Sequence, residues 1–77
     1  MVLWELTLPD GLRVQVEPLG SGRVLWRLCG AAGRAEVVGW ASDEQAGRLR
    51  AVLCWRDATG LRGVPEAVRD AALRGAA

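Results

Sequence analysis

Apolar and polar residues alternate along residues 2–8 and again along residues 12–16, and Pro9-Asp10-Gly11 divides the two runs. A period of two is the signature of a half-buried strand, because successive side chains point to opposite faces of a pleated sheet. Val2, Trp4, Leu6 and Leu8 fall on one face, with Leu3, Glu5 and Thr7 on the other. Leu12, Val14 and Val16 continue the apolar face, with Arg13, Gln15 and Glu17 opposite. Proline presets the first turn position and glycine takes a positive φ, so Pro9-Asp10-Gly11 reads as a three-residue hairpin loop with a bulge. Residues 2–17 are therefore expected to form one hairpin, and a helix anywhere within them would contradict the reading.

The same pattern returns over residues 23–41. Val24, Trp26 and Leu28 share a face, while Arg23, Leu25, Arg27 and Cys29 share the other. Gly20-Ser21-Gly22 has the composition of a phosphate loop, but no helix follows it, and it reads as a flexible link between hairpins. A four-residue loop at 30–33 would set Cys29 opposite Arg34, Arg27 opposite Glu36, Leu25 opposite Val38 and Arg23 opposite Trp40. It would also set Trp26 opposite Val37 and Val24 opposite Gly39, where the bare glycine leaves room for a tryptophan. That register joins an ion pair, an apolar pair and a cation–π pair on one face.

Ser42-Asp43-Glu44-Gln45 has the form of a capping box, with Ser42 as cap and two acids at the helix's positive end. It opens a helix expected over residues 43–58, ended by Gly60. Ala46, Leu49, Val52 and Leu53 make its apolar stripe, so Leu49 and Leu53 are expected to face the sheet and touch Trp4 or Trp26. A second short helix is expected over residues 65–74, with Pro65 at its start and Val64, Val68, Ala71, Ala72 and Leu73 as its apolar residues. The fold class is then α+β: a four-stranded antiparallel sheet followed by two helices, β-β-β-β-α-α, in one domain over residues 1–77.

A chain of 77 residues sits where one core barely suffices and a staple or partner is commonly needed. No His is present, and Cys29 and Cys54 lie far apart, so no metal site is expected. No leader is read at the start, so the compartment expected is cytoplasmic, with both thiols reduced. No apolar run is long enough for a membrane span. Lys, Ile, Asn, Phe and Tyr, whose codons are AT-rich, are absent, while Ala, Gly and Arg abound. That bias points to a bacterium or phage of high GC content, and it discounts the arginines as a functional signal.

Catalysis needs a nucleophile, a base or a metal in a formed pocket. With no His, Lys or Tyr, and with Asp43 and Glu44 splayed apart by helix geometry, no enzyme is expected. No cofactor is expected either. The four tryptophans say more. Trp4 and Trp26 fall on the inward face as core residues, Trp55 widens the helix stripe, and Trp40 falls on the outward face beside Leu25 and Val38. Trp and Arg are the residues most enriched at binding hot spots.

Two functions compete. In the first, the outward face is a protein-interaction or oligomerisation surface of Leu25, Val38, Trp40, Arg23 and Arg27, most simply a homodimer. In the second, Arg13, Arg23, Arg27, Arg34 and Trp40 contact nucleic acid. Four strands followed by a helix resembles the unit of Whirly-type and Pur-type single-strand binders. Residues 23–53, with Trp26-Arg27 and then Gly39-Trp40-Ala41-Ser42-Asp43-Glu44, resemble the three-strand-plus-helix unit of integrase arm-binding domains. The resemblance implies arm-type or single-stranded binding, but the net charge of +1 offers no broad basic field. Protein interaction is the preferred reading, and a continuous arginine stripe beside an uncovered Trp40 would reverse the order.

Overall fold

A computed structural model of the chain describes residues 1–30 and 35–74. Four strands, β1 (Trp4–Thr7), β2 (Arg13–Gly20), β3 (Arg23–Cys29) and β4 (Ala35–Ala41), precede two helices, α1 (Glu44–Thr59) and α2 (Glu66–Arg74). The strands form one antiparallel sheet in the order β1-β2-β3-β4. The expected α+β order is therefore present, and no helix enters residues 2–17.

Turn chemistry fixes the meander. At the first corner the Leu8 N–H donates to Leu12 O at 2.7 Å and the Gly11 N–H to Leu8 O at 3.0 Å, with Gly11 at φ 91°. Asp10 ties this corner down twice. Its carboxylate accepts the Leu12 N–H at 3.2 Å and, across the fold, the Trp55 indole N–H at 2.9 Å. The second corner corrects the sequence reading. Gly20-Ser21-Gly22 is not a slack link between hairpins, because Ser21 and Gly22 alone join β2 to β3, with φ 55° and 79°. Two successive positive φ values suit the right-handed twist of a tight hairpin.

The register of β3 on β4 is also corrected. Leu25 lies opposite Trp40, Trp26 opposite Gly39 and Arg27 opposite Val38, two residues away from the expected pairing. A bulge between Leu28 and Cys29 interrupts the ladder near the connection. Cys29 lies opposite Ala35, not opposite Arg34 as expected; the loop after Gly30, Arg34 itself and the Glu36 side chain lie outside the described residues. A two-residue slide preserves both faces, since side chains repeat every second residue. The observed register has a packing cause. A Cβ on Gly39 would meet the Trp26 ring at 2.5 Å, so the indole needs the bare position opposite it.

The core lies between the inward sheet face and α1. Trp4, Val14, Val16, Val24 and Leu28 from the sheet meet Ala51, Val52 and Trp55 from α1, with Val68 and Ala72 of α2 joining from the side. Asp43, not Ser42, caps α1, its carboxylate accepting the Ala46 N–H at 2.8 Å. Gly60 ends the helix as expected, donating its N–H to the carbonyls of Arg56 and Asp57.

The buried stripe of α1 departs from the expected one. It runs through Gly47, Arg48, Ala51, Val52 and Trp55, whereas Leu53 is 41% exposed and Leu49 only partly buried. A Cβ on Gly47 would meet Val24 Cγ2 at 2.7 Å, so the helix seats its bare residue directly on β3. Arg48, only 5% exposed, lays its guanidinium over the Trp4 ring at 5.0 Å and pairs with Glu44. Its long stem fills the place a leucine would take. Burial lowers its pKa from the ordinary arginine value.

These placements separate two residues that the sequence puts on one stripe, since Val52 is buried and Leu53 exposed. Val52→Ala should cost about 2 kcal/mol in chemical denaturation, whereas Leu53→Ala should cost less than about 1 kcal/mol. A larger loss at Leu53 than at Val52 would contradict the packing.

Candidate protein-interaction surface

Helix α2 packs against α1 and leaves the outward sheet face open. That face divides in two. Over β1–β3 it carries a polar ladder: Gln15 donates to Glu5, Arg27 bridges to Glu17 at 3.1 Å, and the Cys29 thiol lies 3.8 Å from the Gln15 oxygen. Leu3, which the alternation assigns to this face, is partly buried against the core, its N–H donating to Val16 O at 2.7 Å.

Toward β4 the face turns apolar. Leu25 sits directly opposite Trp40, and Val38 follows two residues along the same strand. Trp40 is 57% exposed and Val38 56%, while Leu25 is half-buried. Arg23 lies over the Trp40 ring at 5.2 Å, a cation–π contact that holds the indole flat at the margin.

Of the expected interface residues, the structure thus gathers Leu25, Val38, Trp40 and Arg23 into one patch. Arg27 lies beside it, opposite Val38 where Glu36 was expected, and bridges to Glu17. Arg13 is half-buried on β2, opposite Thr7 and Cys29, and Arg34 lies outside the described residues. No continuous arginine stripe forms among the described residues. One face of the Trp40 ring, where a base would stack, is already taken by Arg23.

Exposure does not end at the outward face. Among the described residues strand β4 pairs only with β3, so its other side is a free sheet edge there. Val37, on the inward face, is 38% exposed. Residues 37–41 read Val-Val-Gly-Trp-Ala, with no charge. Edges are ordinarily guarded by charge, proline or a covering element, because unpaired backbone groups invite another strand. The uncharged run and the apolar residues on both sides of the second hairpin are the visible signs of this exposure in the sequence.

Beside β4 on the inward face, Trp26 and the α1 flank of Arg50, Leu53, Cys54 and Asp57 line a shallow groove. The buried Trp26 indole N–H finds no acceptor among the described residues. Burial, with Asp57 adding to it, pushes the Cys54 thiol above its ordinary pKa. Among the described residues no three His, Cys, Asp or Glu side chains gather as a metal site requires, and no helix is long and apolar enough to cross a membrane. Comparison with protein-family models, with curated proteins and with solved structures finds no match.

The raised pKa has a kinetic consequence, since only the thiolate is nucleophilic. At a given pH below that pKa, Cys54 holds less thiolate than a free thiol, so iodoacetamide should alkylate it more slowly. Asp57→Asn should speed the reaction by removing the repelling carboxylate. Alkylation as fast as free cysteine, unaltered by Asp57→Asn, would contradict this environment.

Proposed function

We propose that this protein is a non-enzymatic interaction module that binds a protein partner, in the first place another copy of itself, through the β4 side of its sheet. The observation that carries the reading is the exposure of Trp40 and Val38 together in the uncharged 37–41 run of an edge strand. Each alone is unremarkable, since single exposed apolar residues are common. A tryptophan, two valines and a free edge in one place match the apolar centre of an interface. The polar pairs around it, the Arg27–Glu17 ion pair and the Gln15–Glu5 hydrogen bond, match a polar rim. Nucleic-acid binding has less support, because Arg27 is engaged by the Glu17 carboxylate and Arg23 by Trp40 itself.

Sedimentation at micromolar concentration tests the reading. The wild-type chain should exceed monomer mass, Trp40→Glu should fall to monomer, and single-stranded oligonucleotide should add no mass. A monomer whose mass and melting temperature ignore Trp40→Glu would overturn it, as would oligonucleotide binding that Arg23→Ala abolishes.

A further inference from the structure

Strand β4 is bare at its edge, over its outward face, and over the part of its inward face beyond α1. We infer that a second copy of this chain covers all three at once, pairing its own β4 antiparallel to this one so that two four-stranded sheets become one continuous sheet. The inference rests on the reading above that the β4 side is the association surface, and it specifies the geometry.

Symmetry limits how two identical strands can meet. An antiparallel pair of equals has a two-fold axis perpendicular to the sheet, so each residue faces a partner residue of the same sheet face. The axis must then fall opposite a residue, not between two. Centred on Gly39, the pairing sets Gly39 against Gly39 of the partner subunit, Val38 against Trp40 of the partner subunit and Val37 against Ala41 of the partner subunit. All of residues 37–41 are used and none is charged. Centred on Val38, it would set Trp40 against the acidic Glu36 of the partner subunit. Centred on Trp40, it would overlap only residues 39–41, since β4 ends at Ala41.

The Gly39 register is complementary on both faces. Outward, the existing Leu25–Trp40 pair is extended by Val38 of the partner subunit, making one apolar row across the joint, and the axis repeats it. Inward, Trp26 of each copy lies over its own Gly39, so two indoles flank the axis above a strip of backbone without side chains.

Above them the two α1 helices run antiparallel. Helix α1 lies chiefly over β3. With strands about 4.8 Å apart, the two helix axes stand roughly 14 Å from each other. That exceeds the 8–10 Å of directly packed helices, and the indoles and Val37 side chains occupy the space between. The flank facing the axis carries Arg50, Cys54 and Asp57 at the level of Trp26. The two-fold operation brings Arg50 of each copy toward Asp57 of the other; within its own chain the Asp57 Oδ1 already accepts from Arg56 at 2.8 Å, so Arg50 of the partner subunit would join that pair from the other side.

Variants that distinguish edge pairing from stacking of outward faces provide the test, read by sedimentation with the melting temperature followed in parallel. Val37→Lys puts a charge on the inward face of the edge, a device that blocks edge pairing and leaves outward stacking untouched. It should raise the dimer dissociation constant at least about tenfold. Arg50→Asp or Asp57→Arg alone should weaken the dimer, and the double exchange should restore it. If Val37→Lys and both single charge variants keep the wild-type dimer while Trp40→Glu dissociates it, edge pairing is overturned and outward-face association stands. A wild-type monomer across the micromolar range overturns the pairing outright. Should Val37→Lys fail to fold, the exposed Arg50/Asp57 exchange decides alone.

Discussion

Gly47 carries no side chain where helix α1 meets Val24, and that bare point sets how near the helix comes to the sheet. Close seating lets the small Ala51 and the Val52 and Trp55 side chains reach β2 and β3, and it closes the core over Val14, Val16 and Leu28. It also commits the helix laterally. A single helix about 10 Å across covers two to three strands spaced about 4.8 Å apart. Seated on β3, α1 covers the middle of the sheet and leaves β4 at its margin. Helix α2 cannot compensate, because it spends its buried residues, Val68 and Ala72, against α1.

The two sheet edges are consequently unlike. At the β1 side, the Pro9-Asp10-Gly11 corner is fastened to α1 by the Asp10–Trp55 hydrogen bond, and Glu5 and Gln15 supply polar groups beside the edge. At the β4 side residues 37–41 carry Val37, Val38 and Trp40 and no charge. An apolar run at one edge of a small core is the feature on which the proposed association rests.

Much of this was legible in the sequence, for reasons that show where legibility stops. Alternation along residues 2–16 and 23–29 identified strands and faces, and face assignment survived even a register slide on β4 because the slide was an even number. The register itself turned on the bulge at Cys29 and on the fit of Trp26 to Gly39, which no local pattern encodes. Asp43 displaced Ser42 as cap because either side chain has the required oxygen and only the chain path selects between them. The α1 stripe was misread because hydrophobicity ranks Leu53 above Gly47 and Arg48. The packing instead needed a gap at Gly47 and a long stem able to lie on Trp4 at Arg48. In the candidate site, Trp40, Val38 and Leu25 were readable from parity alone, whereas the partner of Arg27 depended on the register and was not.

The central claim is that β4 is the edge through which the chain associates. Amide hydrogen exchange measured as a function of protein concentration tests it directly, because pairing with another strand protects backbone N–H groups that a free edge exposes to water. As concentration rises through the assembly range, amides of residues 37–41 should gain protection, while those of β1, the opposite edge, should keep one exchange rate throughout. Equal exchange of residues 37–41 at every concentration, in a sample whose mass shows that it has assembled, would contradict the account.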